Sequence, residues 1–352
     1  MSIFIDDDVL KKLIYEDIHF IDLTTQVLEI SDLDGVARVF FREPGVVACS
    51  EEAARIYKIL GADVKYIVKS GVEVEAGQKI LEAFGKASSL HLAWRVAQTL
   101  LSYASGVARV FFRESGVVAC SEDAARIYKI LGADVRYIVK SGVEAEAGQK
   151  ILEAFGKASS LHLAWRVAQT LLSYASGVAT YTRRMIEKAR KVNPRIIIGT
   201  TRQPPPGTRI FYLKAVLVGG GVVHRQSLSD TILIFDNHLN FIEKPRVRNA
   251  VERALKKSGG RCVGVEVRSL EEAVEAVYSG ACYIQFEKVS PKDLEKTVRE
   301  IRKISDKIIV GAGGGITLEN IEEYAATGVD MIVTSAPYRA KPIDVTTIIE
   351  KV

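Results

Sequence analysis

The side chains best suited to chemistry crowd between residues 201 and 238. Thr201-Arg202-Gln203-Pro204-Pro205-Pro206-Gly207-Thr208-Arg209 is followed by Gly219-Gly220-Gly221-Val222-Val223-His224-Arg225, and then by Asp236-Asn237-His238. A lone His224 would say little; joined to Arg225 behind a glycine run, and set beside Asp236 and His238, it points to a site. Further on, Glu266 lies between Val265 and Val267 at the end of an apolar run, and Gly313-Gly314-Gly315 follows another. Guanidinium forks clamp carboxylates and phosphates, and bare glycine amides hold phosphate. The set suits one polyanionic ligand. Plainer readings stand beside this one: Glu266 as a salt-bridge partner of a neighbouring helix, and the glycine run as a tight turn.

These groups need a frame. From residue 193 onward, short apolar runs at 195–199, 231–235, 261–267, 281–286, 307–310 and 330–334 alternate with amphipathic stretches, which is the βα pattern. Ser269-Leu270-Glu271-Glu272 reads as a capping box, and Pro291 as a first helical residue. Repeated βα units close into a barrel or lie open, and in a barrel the reactive groups follow the strand C-termini. A basic cluster, Arg183, Arg184, Lys188, Arg190, Lys191 and Arg195, has helical spacing and is either a solvated face or an anion attractor.

The N-terminal half is dominated by a repeat. Residues 35–105 recur at 106–176, an offset of 71, and differ only at Pro44/Ser115, Glu52/Asp123, Lys65/Arg136 and Val74/Ala145. Solenoid repeats are shorter and diverge, so near-identity over a domain-sized unit marks a recent or engineered duplication. Within each unit, strand-like runs at 36–42, 45–48 and 64–68 surround helical spacing at 51–60, and a helix at 90–103 closes the unit. It reads as a small α+β domain. The division expected is residues 1–105, an N-terminal helix and first lid copy; 106–176, a second copy; and 177–352, an α/β barrel.

Composition excludes several classes. With 352 residues, 48% hydrophobic, the chain buries a full core; 48 Lys+Arg against 43 Asp+Glu leave a net of only +5. Charge gives no reason to expect a nucleic-acid partner. No run of about 18 apolar residues suggests a membrane span, and no secretory leader is visible. A cytoplasmic protein is expected. Cys49 and Cys120 are one position in two copies, Cys262 and Cys282 fall in apolar runs, and no disulfide framework or zinc spacing is visible.

The order Thr-Arg-x-x-x-Pro-Gly-x-Arg, Gly-Gly-Gly-x-x-His-Arg and Asp-Asn-His resembles the quinolinate (nicotinate-nucleotide) phosphoribosyltransferases. Trp165-Arg166-Val167-Ala168-Gln169, residues 214–221 and Thr334-Ser335-Ala336-Pro337-Tyr338 are similar to its ModD branch, associated with molybdenum transport, and Glu16-Asp17 with Asp22-Leu23-Thr24-Thr25 fits the family opening. The resemblance implies an incomplete α/β (TIM-like) barrel with a small α+β sandwich lid, here in two tandem copies. It implies transfer of phosphoribose from phosphoribosyl pyrophosphate to the ring nitrogen of a pyridine carboxylate, with Mg²⁺ and, for quinolinate, loss of carbon dioxide. By the same resemblance Arg202, His224, Arg225 and the helix Arg166, or its twin Arg95, bind the carboxylated ring. Glu266 and Glu287 match acidic positions near ribose and metal, and Gly313, Gly314 and Ser335 occupy phosphate loops. A homodimer is implied, because the family's lid arginine reaches the neighbouring subunit. Arg166 as an exposed helix charge, and Trp94 and Trp165 as packing residues, are the rival readings.

Three departures bear on the acceptor. Gln203 and Phe235 stand where the enzymes carry Lys, and Val223 where Asn precedes His-Arg. Two missing cations each remove on the order of 1.5–3 kcal/mol of carboxylate binding, so an acceptor other than quinolinate is expected. The alternative is a non-catalytic anion-binding or regulatory protein connected with molybdate transport. Copy two, with the shorter tether to the barrel, is expected to hold the lid position.

Overall fold

A computed structural model describes residues 7–17, 23–42, 44–104 and 106–351. The side chains of Glu16, Asp17, Leu23 and Thr24, and all of Asp22, lie outside the described residues.

Each lid copy forms a three-stranded antiparallel sheet with two helices against it. In the first, Asp34–Phe40 pairs with Lys79–Lys86, which pairs with Asp63–Ile67; Ser50–Ile59 and Ala87–Ala104 are the helices. The second repeats this with Gly106–Phe112, Lys150–Gly156 and Asp134–Ile138, and adds a fourth strand, Val345–Lys351, from the far end of the chain. Alternation buries Leu81 and Ala83, and in the second copy Leu152 and Ala154, on one face of the sheet, and Ile80 and Ile151 near the strand starts are fully buried as well.

The barrel half is a seven-stranded parallel sheet. Its spatial order is Val222–Val223, Ile197–Thr200, Met331–Thr334, Ile309–Gly313, Tyr283–Glu287, Val263–Val267, Ile232–Ile234. In chain order this is a ring broken between the second and third strands, so the barrel is incomplete, as expected. Val263, Val265 and Val267 are wholly buried under the helices Arg246–Lys257 and Leu270–Tyr278, as parallel strands covered on the outside must be. Ser269 Oγ accepts from Glu272 N at 3.2 Å, but Glu272 accepts from Arg268 N rather than completing a box with Ser269. Pro291 opens the helix Pro291–Ile304 behind a Ser290 cap.

One helix joins the halves. Ala158–Val192 runs for 35 residues through Gly177, burying Leu161, Ala164, Ala168 and Leu172 in the second lid core and Met185, Ile186 and Ala189 in the barrel core. Gly inside a helix costs about 1 kcal/mol relative to Ala. Here a Cβ on Gly177 would lie 3.0 Å from Pro342 Cα, so the bare position lets the C-terminal segment cross. The basic cluster is partly structural: Arg183 Nε donates to Gly219 O at 3.0 Å and Lys188 Nζ to Leu318 O at 3.0 Å.

The second copy packs on the barrel, with Val117, Ala119 and Cys120 against Tyr212, Ala215 and Val216, and Lys214 paired to Asp123. The first copy packs on the second, where Lys157 pairs with Glu52 at 3.1 Å. One of the four differing positions, Glu52/Asp123, thus docks its carboxylate on a different lysine in each copy. The expectation of no disulfide is corrected: Cys262 and Cys282 are bonded, with Cα atoms 5.7 Å apart. They precede adjacent strands at matching depth, a proximity that a 20-residue separation does not reveal. No helix among the described residues is long and apolar enough to cross a membrane.

Candidate active site

The loops at the C-terminal ends of all seven barrel strands surround one cavity of about 560 Å³. Its lining contains Arg202, Gln203, His224, Arg225, Phe235, Glu266, Glu287, Gly313, Gly314 and Ser335. Seven separate βα units deliver these residues, which is how a barrel gathers a site from distant sequence.

One side is cationic. Arg225 is 7% exposed, and its Nε has no partner among the described residues. Its guanidinium lies 5.7 Å from the Phe235 ring centre, and burial together with Arg202 holds its pKa below the ordinary value. His224 Nε2 and Thr201 Oγ1 are likewise buried without partners. Burial, reinforced by Arg225, lowers the His224 pKa, so its imidazole is neutral at pH 7. Unsatisfied buried polar atoms cost about 1–3 kcal/mol each unless something binds them. Three such groups on one wall mark where a ligand satisfies the protein.

The opposite side is acidic. Tyr283, Gln285 and Glu287 alternate along one strand and therefore share its inward face. Gln285 stands in register with Glu266 on the neighbouring strand and donates Nε2–H to Glu266 Oε2 at 3.1 Å. Tyr283 Oη in turn donates to Gln285 Oε1 at 3.1 Å. Burial, then the nearby Glu287 carboxylate, push the Glu266 pKa up to about 7, and the Gln285 hydrogen bond opposes them.

Between the poles lies bare backbone. Gly314 and Gly315 have φ of 86° and 76°, and Lys288 N donates to Gly313 O at 2.9 Å. A Cβ on Gly314 would meet Lys288 Cγ at 2.6 Å and Glu287 Oε1 at 2.7 Å. Only glycine fits both the conformation and the space.

Other residues named from sequence lie elsewhere. Arg166 is exposed on the long helix, its guanidinium 4.7 Å from the Trp165 ring centre, and does not line the cavity of its own chain. The side chain of Arg95 lies outside the described residues. His238 Nδ1 accepts from Phe235 N at 3.0 Å, and Asp236 pairs with Arg268 at 2.8 Å, so the Asp-Asn-His turn holds the loop that presents Phe235. Trp165 donates to Gln169 Oε1 at 2.7 Å, a packing role within the helix. The cavity also contains Thr201, the first residue of the quoted motif, and Gln285, Lys288 and Arg339, which sequence reasoning did not single out. For Gln285 a signal existed: polar groups at every second position of the otherwise apolar run 283–287.

The chain matches the quinolinate phosphoribosyl transferase C-terminal domain over residues 178–347, and the N-terminal domain of the same family twice, over 22–105 and 104–176. It is 34% identical over 240 residues to a putative pyrophosphorylase ModD of Pasteurella multocida, covering 68% of this chain and 85% of that one. It is 37% identical over 197 residues to a probable nicotinate-nucleotide pyrophosphorylase [carboxylating] of Archaeoglobus fulgidus, covering 55% and 74%. Among solved structures, the nicotinate-nucleotide pyrophosphorylase from Francisella tularensis superposes with a TM-score of 0.66 at 26% identity, covering 72% of this chain and 90% of that one. The doubled N-terminal match falls on the two lid copies, the C-terminal match on the barrel that carries the cavity, and the chain belongs to the quinolinate phosphoribosyl transferase family.

Proposed function

We propose that this cavity transfers phosphoribose from phosphoribosyl pyrophosphate to the ring nitrogen of a pyridine carboxylate. The observation that carries the reading is a single cavity whose one wall holds buried guanidinium and imidazole atoms without partners among the described residues, and whose other wall holds two close carboxylates. Arg202 and Arg225 clamp the carboxylate of the ring, and Phe235 packs against its face. The Gly314 and Gly315 amides and Ser335 hold phosphate. As the ring nitrogen bonds to the anomeric carbon, the bond from that carbon to pyrophosphate breaks and positive charge develops on the ribose. Glu266 and Glu287 stabilise that charge.

The same two carboxylates fit a divalent cation, because a cation relieves both the burial and the Glu287 repulsion that raise the Glu266 pKa. Among the described residues no third His, Cys, Asp or Glu joins them, so Glu266 and Glu287 would hold Mg²⁺ together with substrate oxygens. Magnesium supplies neutralisation of the pyrophosphate. Gln203 and Phe235 bring no charge to the ring, which favours an acceptor with fewer carboxylates than quinolinate.

The working unit is a homodimer in which Arg166 of one protomer reaches its partner's cavity. Leu163 and Tyr174, 65% and 49% exposed along the same helix, support this reading by offering an apolar surface near Arg166. Pyrophosphate release measured over a panel of pyridine carboxylates, with calorimetry on phosphoribosyl pyrophosphate, tests the activity. Absence of both turnover and binding contradicts it.

A further inference from the structure

The two lid copies share their sequence but differ in what covers them. In the second copy, Gly106–Phe112 lies between Lys150–Gly156 and the C-terminal strand Val345–Lys351. In the first, Asp34–Phe40 pairs with Lys79–Lys86 and, among the described residues, with nothing on its other side. Val36 is 38% exposed, whereas its twin Val107 is 2% exposed.

Residues 35–41 and 106–112 are the same heptapeptide, Gly-Val-Ala-Arg-Val-Phe-Phe. Their backbones are oriented alike. Phe112 N donates to Gln149 O at 3.1 Å and Phe41 N to Gln78 O at 3.1 Å, both inward across the sheet. Arg113 N donates outward to Asp344 O at 2.8 Å. By alternation Val107, Arg109 and Phe111 face the C-terminal strand, and Val36, Arg38 and Phe40 present the same groups on the first copy's outer edge.

Charge repeats the pattern. Arg109 donates from Nε to Glu153 at 2.8 Å and from Nη1 to Glu350 of the C-terminal strand at 2.7 Å. Arg38 donates from Nε to Glu82 at 3.0 Å, the twin of the first bond, and the second has no counterpart among the described residues. Glu350 lies two residues beyond Ile348, which stands opposite Arg109.

We propose that the open edge of the first copy is a strand-binding site. It takes, in trans, an extended segment with the chemistry of Val345–Lys351: consecutive β-branched residues with an acid two positions past the residue opposite Arg38. Main-chain bonds supply affinity in such strand addition, and alternate side chains supply register. Among the described residues the chain carries two such edges and one such strand, so one edge remains unpaired there. Its own strand is committed to the second copy, where Ile343 N donates to Ser173 O at 3.0 Å and Thr347 to Gln169 at 2.8 Å. A second copy of the chain has its strand committed in the same way, and exchange between copies gains no pairing. The occupant is therefore a separate polypeptide.

The probe is a fluorescent peptide of residues 342–351, titrated into the full chain by anisotropy, with stoichiometry from calorimetry. One peptide per chain is expected. Val36→Pro abolishes binding by removing an outward N–H. A peptide with the equivalent of Glu350→Arg binds about fivefold more weakly, and Arg38→Glu in the chain restores it. No saturable binding overturns the proposal. So does binding that survives Val36→Pro and ignores the charge exchange, which places the peptide on the second copy in place of the chain's own strand. A chain that is dimeric through this edge, and becomes monomeric on Val36→Pro, overturns it as well.

Discussion

Gln285 donates its amide N–H to Glu266 across the register of two adjacent barrel strands, at 3.1 Å, and is itself held by Tyr283. Its hydrogen bond, and more weakly the Arg268 charge, oppose the burial and the Glu287 and Asp236 carboxylates that favour the protonated form of Glu266. With its pKa at about 7 against an ordinary 4.5, Glu266 keeps its proton in the folded chain over a range where the unfolded chain has lost it. The folded state binds more protons between these values, so unfolding free energy falls as pH rises from 4.5 to 7 and levels off above. Urea denaturation at stepped pH values checks this; Glu266→Gln flattens the profile, and an unchanged slope in that variant contradicts the assignment.

Removing a clamp for the ring carboxylate is the second case. Arg225→Ala costs about 1.5–3 kcal/mol of acceptor binding, or roughly 10- to 150-fold in kcat/KM. Arg225→Lys recovers only part, because an ammonium does not reproduce the guanidinium fork. Steady-state kinetics with the best acceptor separate these outcomes.

Gly314→Ala forces a Cβ into Lys288 and Glu287 at a φ of 86°. Backbone strain of this kind costs on the order of 1–3 kcal/mol. Calorimetry on phosphoribosyl pyrophosphate is expected to show weakened binding, while the lid and the acceptor wall, which Gly314 does not touch, keep their stability.

Specificity follows from the two uncharged ring contacts. Gln203→Lys and Phe235→Lys each add a cation to the acceptor wall and shift preference toward rings with more carboxylates, by about tenfold or more per substitution. Competition between mono- and dicarboxylated pyridines reads the ratio directly.

Deleting residues 35–105 removes no residue of the cavity lining. The helix Asp7–Asp17 buries Leu10 and Ile14 against the first copy, where Val96 is 8% exposed; the twin Val167 on the second copy is 58% exposed. In the shortened chain this helix has an identical face waiting on the second copy. A folded, active variant is expected, checked by thermal melting and turnover.

Much of the fold was legible because the barrel strands are apolar runs separated by helices of clear periodicity, whereas ten of the residues that line the cavity were singled out chiefly by the motifs of the family resemblance. What lay hidden depends on distance in sequence. The two-residue strand Val222–Val223 is too short to carry a pattern. Val345–Lys351 finds its antiparallel partner more than two hundred residues upstream. Gly177 reads as a seam, yet a helix continues through it because a crossing segment needs the missing side chain. Tyr283 and Gln285 were absorbed into an apolar run; their inward face emerges only once Gly264 and Gly311, each of which would place a Cβ within 2.9 Å of the Tyr283 side chain, are seen to make room for it.

Pyrophosphate release from phosphoribosyl pyrophosphate in the presence of pyridine carboxylates, compared between the parent chain and Arg225→Ala, tests the central claim most directly. The parent releases pyrophosphate with at least one monocarboxylated ring, and the variant loses at least about tenfold in kcat/KM. Equal rates in the two proteins, or no release by the parent with any ring, contradict the account.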